Sequence, residues 1–187
     1  MVKLDKIYTR GGDGGETSLG DGSRVAKHSR RVHAQGDIDE TNAAIGVARR
    51  FASPETTDPV LSRIQNDLFD LGADVTSPGD DHTDGSLRIQ PAQVERLEAE
   101  IDDANEALEP LRSFVLRGGT DFAAALHLAC TVCRRAERML SALAAEEPIN
   151  PHGLKYINRL SDLLFVMARA ANDGGKADVL WKPGQNT

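Results

Sequence analysis

Apolar residues recur at intervals of three and four along most of the chain after residue 37, and this spacing limits the fold more than any other feature. After Pro59 the residues at this spacing are Val60, Leu61, Ile64, Leu68, Leu71 and Val75. Segments that start near Asp37, Pro91, Asp121 and His152 have the same pattern. Because such a stripe lies along one side of an α-helix, the sequence predicts five amphipathic helices. Five such helices bury their apolar sides in a helical bundle, which is an all-α fold.

The composition favours the same fold class. Only 4% of the residues are aromatic, whereas a β-sandwich usually has more aromatic and β-branched residues. The formal charge of −7 argues against the basic surface that general nucleic-acid binding requires. No apolar run approaches the roughly 20 residues of a membrane span, and the opening MVKLDKIYTR lacks the apolar core of an export signal. We therefore expect one cytoplasmic domain over residues 1–187 that binds neither nucleic acid nor a membrane.

Residues 8–36 lack a helical stripe and are rich in glycine, which predicts a long loop over residues 1–36, a bundle over 37–172 and a tail over 173–187. Five basic residues are interleaved in the loop: Arg10, Arg24, Lys27, Arg30 and Arg31. Glycines let backbone N–H groups approach an anion, to which hydroxyl groups can add donors. The loop matches neither the Walker motif nor the dinucleotide-binding fingerprint. The residues alone therefore indicate polyphosphate binding of low specificity.

Two of the predicted helices carry polar groups that need an explanation. In TVCRRAERML, Arg134, Glu137 and Arg138 lie at i, i+3 and i+4, so they share one face of the fourth helix. This face is either solvated or binds an anion. On the fifth helix, Asn158 and Asp162 form a narrow polar stripe among apolar residues. They serve either an interhelical hydrogen bond or a binding site.

The chain has two cysteines, Cys130 and Cys133, whose spacing puts them on nearly the same face of the fourth helix. A CxxC pair is half of a zinc site or a redox pair, but the sequence has no second pair. Small core residues are the simpler interpretation. The five histidines do not have HxxxH or HExxH spacing, so we predict no catalytic metal site built from protein ligands.

Five motifs occur in order along the chain: YTRGGDGG, GDIDETNAAIG, FVLRGGT, TVCRRAER and YINRLSDLLFVMARAAN. In this order they resemble the PduO-type ATP:cob(I)alamin adenosyltransferases over nearly the whole chain. The resemblance implies a five-helix bundle assembled as a homotrimer, with ATP held between the N-terminal loop of one subunit and helices of its neighbour. It also implies transfer of the 5′-deoxyadenosyl group of ATP to the cobalt of cob(I)alamin, with release of inorganic triphosphate.

The same resemblance implies which molecules are bound. ATP with Mg²⁺ would be one substrate, and cob(I)alamin, or cob(II)alamin before its reduction, would be the other. An adenosylcobalamin-dependent mutase and a reductase would be candidate partners. Because reduced cobalt is itself the nucleophile, the protein would need to orient ATP and stabilise the departing triphosphate, and it would need no Ser, Cys or His nucleophile.

The resemblance also assigns residues to these tasks. A first group would bind ATP, chiefly its phosphates: Thr9, Arg10, Gly11, Gly12, Thr17, Ser18 and Lys27. A second group would approach the nucleotide and its metal: Arg134, Arg135, Glu137, Arg138 and Asn158. Arg134 would be the essential cation, and Asp39 would act at the subunit interface. Phe114 would lie beneath the corrin ring and displace the lower axial ligand of cob(II)alamin; the alternative is an exposed loop residue.

Three positions depart from the family pattern. Gly11 stands where Thr or Asn is frequent, which removes one side-chain contact. Arg117 stands where the pattern FVLPGG has Pro, which predicts a less rigid loop around Phe114. Cys130 stands where the family has an Arg that pairs with the Asp matching Asp39, so that ion pair is lost. Two other functions therefore stay open: a non-catalytic corrinoid or nucleotide carrier or sensor, and a plain helical interaction protein.

Overall fold

The computed structural model describes residues 5–79 and 85–185. Within these ranges it contains five α-helices: α1 (Arg30–Ala48), α2 (Thr57–Thr76), α3 (Pro91–Glu106), α4 (Asp121–Ala144) and α5 (Pro151–Ala171). Two three-residue strands, β1 (Glu16–Ser18) and β2 (Arg24–Ala26), pair antiparallel, and a short 3-10 helix covers Arg49–Phe51. The predicted all-α, five-helix fold is confirmed. The small hairpin was not predicted, because three-residue strands are too short to show an alternating pattern.

The helix starts follow local chemistry. Pro91 stands in the first turn of α3, behind a capping box formed by Gln90 and Gln93. Thr120 caps α4, since its Oγ1 accepts a hydrogen bond from the backbone N–H of Ala123 at 3.1 Å. The predicted start of α4 near Asp121 is therefore confirmed. Helix α2 begins two residues before Pro59, because proline is tolerated anywhere in the first turn.

The predicted loop over residues 1–36 is wrong at its end, since α1 already begins at Arg30. Arg31, Ala34 and Ile38 are buried at intervals of three and four, so the helical stripe extends upstream with an arginine in one of its interior positions. A search for apolar residues misses that position. The Arg31 side chain points into the protein, where its charge is paired with Glu147.

Helix α4 lies between α1 and α5, while α2 flanks α1 and α3 flanks α5. The side chains that meet between these helices form one apolar core, which includes Ile45, Leu71, Leu126, Leu140 and Leu164. Full burial of each such side chain contributes about 1.5–3 kcal/mol. No helix in the described ranges is both long enough and apolar enough to cross a membrane. Because α4 packs against both α1 and α5, the direction in which its charged face points is set by these two helices.

Candidate functional site

The N-terminal loop is held in shape by the β1–β2 hairpin and by hydrogen bonds around its glycines. The backbone N–H of Lys27 donates to the Gly15 carbonyl at 2.8 Å, so the two ends of the loop close on each other. A Cβ at Gly12 would lie 2.8 Å from Nζ of Lys27, which means that the ammonium group lies directly over the glycine backbone. Arg10 has a φ of 62°, a left-handed conformation that non-glycine residues rarely adopt. The loop thus presents backbone amides and an exposed cation together.

Only part of the predicted cationic set is without protein partners. Arg24 donates to the Gly11 carbonyl at 2.7 Å and to Oγ of Ser18 at 3.3 Å, so it holds the loop in shape from its exposed side. Arg30 pairs with Glu146 at 2.8 Å between Nε and Oε1. Arg31 is buried, pairs with Glu147 at 2.5 Å and donates to the Val75 carbonyl at 2.6 Å. Of the five basic residues that the sequence suggested for an anion, Arg10 and Lys27 have no ion pair in the described part of the chain.

A second polar cluster joins α4 to α5. Nδ2 of Asn158 donates to Oε1 of Glu137 at 2.7 Å, and Oδ1 of Asn158 accepts from Arg159. Nη1 of Arg138 donates to the backbone carbonyl of Arg134 at 2.9 Å, which holds Arg138 along its own helix. The predicted face of Arg134, Glu137 and Arg138 is therefore real, and Asn158 makes the interhelical hydrogen bond that the sequence left as one of two alternatives.

The guanidinium of Arg134 is exposed beside this cluster, and in the described ranges it forms no hydrogen bond or ion pair. Desolvation raises the pKa of Asp162, whereas the charges of Arg159 and Arg134 lower it. A carboxylate thus lies within electrostatic range of the free guanidinium. The face combines one uncommitted cation with carboxylate and amide oxygens, which suits a phosphate chain that carries a divalent ion.

Arg135 does not belong to this face. Its Nε lies 3.4 Å from Oδ1 of Asp37, and its guanidinium also contacts Glu40, so it ties α4 to α1. The expectation that Arg135 binds the nucleotide is not supported by this placement, since one helical step rotates a side chain by about 100° away from its neighbour. Sequence spacing alone could not show which helix would face it.

Asp39 is exposed on α1, at the edge of a groove of about 240 Å³ between α1 and α2. No cation pairs with it in the described ranges. Phe69, which is 70% exposed, lines the same groove. The groove thus presents an exposed carboxylate and a large exposed aromatic ring together.

Phe114 lies in the segment between α3 and α4, and its side chain is 76% exposed. Its ring packs against Trp181 of the C-terminal tail, with 6.0 Å between ring centroids. Two backbone hydrogen bonds attach the tail to this segment: the N–H of Trp181 donates to the Phe114 carbonyl, and the N–H of Leu116 donates to the Val179 carbonyl, both at 2.8 Å. Sequence reasoning missed Trp181 as a contact of Phe114, although the short apolar run Val179–Trp181 in the predicted tail is a usable signal.

Both cysteines are core residues. Sγ of Cys130 donates to the Ser161 carbonyl at 3.2 Å, and Sγ of Cys133 donates to the Ile157 carbonyl at 3.3 Å. Burial raises the pKa of Cys130 and raises that of Cys133 further. In the described residues no group of three or more His, Cys, Asp or Glu side chains is placed to hold a metal ion.

Known proteins share this sequence over nearly its whole length. A sequence profile of the cobalamin adenosyltransferase family matches residues 7–171. The corrinoid adenosyltransferase of Mycobacterium leprae is 49% identical over 98% of both chains. That of Mycobacterium tuberculosis is 51% identical over 98% of this chain and 96% of its own. This chain belongs to the cobalamin adenosyltransferase family.

Solved structures of the family have the same bundle. A variant PduO-type ATP:corrinoid adenosyltransferase from Lactobacillus reuteri, solved with cobalamin and ATP, is 38% identical and superimposes with a TM-score of 0.87 over 95% of this chain and 99% of its own. Another variant of the Lactobacillus reuteri protein, solved with ATP, is 37% identical with a TM-score of 0.84 over 94% and 100% of the two chains. The family resemblance stated from the motifs is thereby confirmed.

Within one chain, the two polar clusters of this cobalamin adenosyltransferase family member are separate. In residues 5–79 and 85–185, no hydrogen bond or ion pair joins the loop cluster around Lys27 to the α4–α5 cluster around Arg134. Each cluster is shaped by contacts of its own. Among the described residues, the loop leaves Arg10 and Lys27 without an ion pair, and the α4–α5 cluster leaves the Arg134 guanidinium without a partner.

Proposed function

We propose that this protein is an ATP:corrinoid adenosyltransferase, which transfers the 5′-deoxyadenosyl group of ATP to the cobalt of cob(I)alamin and releases inorganic triphosphate. The membership of the family supports this activity, as do the cobalamin and ATP bound in the Lactobacillus reuteri structures. The observation that carries the proposal is that the chain exposes Lys27 and Arg134, whose charges are unpaired among the described residues, together with Phe114, whose side chain is 76% exposed on the segment preceding α4.

The reaction requires the side chains only to position the substrates and to stabilise the charge of the leaving group. Cobalt(I) donates an electron pair to C5′ of the ribose, the C5′–O bond breaks, and the electrons of that bond leave with the triphosphate. The polypeptide therefore lowers the barrier by aligning ATP and by stabilising the charge that develops on the leaving group. Backbone N–H groups around Gly12, the Lys27 ammonium and the Arg134 guanidinium are the groups suited to that task.

We expect ATP to bind as its Mg²⁺ complex, and the residues of the α4–α5 cluster fit this ion. Mg²⁺ usually keeps several waters and is held by substrate phosphates with one or two carboxylates. The Glu137 carboxylate accepts one hydrogen bond through Oε1 from Asn158, and its other oxygen has no hydrogen-bond partner among the described residues. Glu137 would thus be the protein contact of the ion, which when bound would neutralise part of the triphosphate charge. Asn158 would keep the carboxylate oriented.

Phe114 would act on the other substrate. The Phe114 ring is exposed and packs against Trp181, and it presents an apolar surface that excludes water. Placed beneath the corrin ring, it would prevent a base or water from binding the lower face of cobalt. Removal of the lower ligand makes the reduction of cob(II)alamin to cob(I)alamin accessible. A separate reductase would supply the electron, and a mutase that uses adenosylcobalamin would receive the product in the cytoplasm.

We further propose a homotrimer in which each active site takes its loop from one subunit and its α4–α5 face from the next. The separation of the two clusters within one chain supports this arrangement. So does the exposed pair of Asp39 and Phe69, which a neighbouring subunit would cover. Because Cys130 is buried against Ser161, the cation that meets Asp39 would have to come from another position.

The activity is tested by mixing the purified protein with ATP, Mg²⁺ and chemically reduced cob(I)alamin without oxygen. The visible spectrum reports the loss of cob(I)alamin and the appearance of adenosylcobalamin, and triphosphate is measured in parallel. We expect one triphosphate for each adenosylcobalamin over several turnovers. Binding of ATP without product would refute catalysis and would favour a carrier.

The shared site is tested with two weakened variants, Lys27→Ala and Arg134→Ala, assayed at ATP concentrations well below the wild-type KM. When they are coexpressed and assembled together, some sites combine an intact loop with an intact α4–α5 face. We expect the mixed assemblies to recover part of the wild-type activity, above that of either variant alone. If both clusters of a site belong to the same chain, mixing will restore nothing.

A further inference from the structure

Arg117 connects the segment that carries Phe114 to both α4 and α5. Nη1 of Arg117 lies 3.1 Å from Nδ1 of His127 on α4. The guanidinium carbon lies 5.2 Å from the ring centroid of Phe165 on α5, which is cation–π distance. The rings of His127 and Phe165 are 6.0 Å apart, so three side chains from three elements contact one another.

The protonation state of His127 determines this contact. Arginine has donors only, so the hydrogen bond requires an unprotonated Nδ1 on His127 and therefore places the proton of the neutral ring on Nε2. The His127 side chain is buried, and its Nε2 has no hydrogen-bond partner in the described residues. Burial lowers the pKa of His127, the charge of Arg117 lowers it further, and Asp178 opposes the shift. The neutral ring is thus the form that fits the site at neutral pH.

Arg117 also forms part of the cavity next to Phe114. This cavity, of about 380 Å³, is lined by Leu111, Ser113, Phe114, Val115, Arg117 and Phe165. On one side the segment is fixed by the tail, through Ser113 Oγ, which donates to the Trp181 carbonyl at 2.8 Å. On the other side Arg117 contacts the helices within three residues of Phe114, through His127 and Phe165. The ends of the segment have bonds of their own to the C-terminal end of α5, because Arg169 donates to the Glu109 carbonyl at 2.9 Å and Asn172 donates to the Gly118 carbonyl at 3.2 Å. Loss of the Arg117 contacts would therefore loosen the part of the segment next to Phe114 and leave its ends attached.

The sequence predicted the opposite effect for this residue, because an arginine in place of a proline normally leaves a loop with more conformational freedom. The structure instead supplies a side-chain anchor where the backbone constraint of proline is missing. The same guanidinium lies close enough to Cys130 that its charge lowers the pKa of the thiol, against the effect of burial. A guanidinium thus lies near Cys130, the position at which the family resemblance implies an arginine.

We propose that Arg117 is a positioning residue for the corrinoid: through neutral His127 and Phe165 it holds the Phe114 segment in the place that the corrin ring requires. This inference rests on the proposed function. Protonation of His127 would turn its Nδ1 into a donor that faces a guanidinium, so the position of the segment should depend on pH. The charged groups that act on His127 are Arg117 from the segment and Asp178 from the tail.

A test without any substrate uses Trp181, the only tryptophan of the chain, which packs on Phe114. Its fluorescence should change with pH in a single step that lies below the ordinary range of histidine. The step should disappear in Arg117→Met and in His127→Phe, and it should persist in Arg112→Met, which removes an equal charge from the same segment. A step that persists unchanged in Arg117→Met would refute the proposal.

A second test separates positioning from general damage by steady-state kinetics with cob(I)alamin and ATP. For Arg117→Met we expect the KM for the corrinoid to rise roughly three- to tenfold, the effect of one lost hydrogen bond, while the KM for ATP stays within twofold. Arg117→Lys, which keeps the charge but not the planar stack, should recover only part of the loss. Equal changes in both KM values would refute the positioning role.

The two tests distinguish this inference from the proposed function. If the wild-type protein produces no adenosylcobalamin but the Trp181 titration behaves as expected, the proposed activity fails and the Arg117–His127 contact stands. If the protein is active but Arg117→Met leaves the corrinoid KM unchanged, the activity stands and the positioning role fails.

Discussion

Two adjacent arginines at the start of α1 pair with two adjacent glutamates after α4, and they should differ greatly in what they contribute to stability. Arg30 pairs with Glu146, and both side chains are about half exposed, at 51% and 52%. Arg31 pairs with Glu147, but its own side chain is only 4% exposed, and its Nη1 also donates to the Val75 carbonyl at 2.6 Å. We predict that Arg31→Met destabilises the protein far more than Arg30→Met.

The expected magnitudes come from burial. An ion pair between exposed side chains contributes about 0–1 kcal/mol, so Arg30→Met should have little effect. Arg31→Met leaves the buried Val75 carbonyl without its partner, which costs about 1–3 kcal/mol, whereas Glu147 can turn to water at a cost of about 1 kcal/mol. The sum for Arg31→Met is about 2–4 kcal/mol. For a chain of this length each kcal/mol corresponds to about 2–4 °C in Tm.

The free energy of unfolding is measured by urea denaturation of both variants at one fixed protein concentration, because association changes apparent stability. Methionine retains most of the volume of arginine, so the comparison isolates the polar contacts. If Arg31→Met loses no more free energy than Arg30→Met, the argument from burial is refuted. In that case the Val75 carbonyl must find water or another donor.

Three further predictions concern the site and the core. Lys27→Ala should raise the KM for ATP by about tenfold, as expected for one lost charge contact, while Lys176→Ala in the tail leaves it unchanged; steady-state kinetics decides. Phe114→Ala should change the free energy of unfolding by no more than about 0.5 kcal/mol, because the ring is 76% exposed. The same substitution should abolish adenosylation that starts from cob(II)alamin and a reductant. A large loss of stability would contradict the argument from exposure. Cys130 and Cys133 should resist iodoacetamide at pH 8 in the folded protein and react after unfolding in urea, since burial raises both pKa values and blocks access; rapid modification of the folded protein would show that the thiols are not enclosed.

Much of the architecture follows from local sequence. The stripe after Pro59 and the stripes that start near Pro91 and Asp121 each predict a helix, because apolar spacing is a property of a few consecutive turns. The caps found at Gln90 and Thr120 are likewise local, since each acts within three residues. The family motifs likewise point to the loop and to the α4 face, because each motif is a short contiguous stretch of the chain. Where local patterns failed, as at the start of α1, the missing information was a partner distant in the chain, namely Glu147 for Arg31.

The candidate site shows the same division. Spacing alone puts Arg134, Glu137 and Arg138 on one face, but it cannot tell that Arg135 turns toward Asp37 on α1. Nor can it tell that Arg117 would reach His127 and Phe165.

The amino-acid sequence by itself determined the helices, their order and the residue types available for a triphosphate. The tertiary structure decided which cations remain free and which are consumed by pairing. The physical reason is that a charge in a fold is neutralised by groups near it in space, and those groups come from residues far apart in the chain.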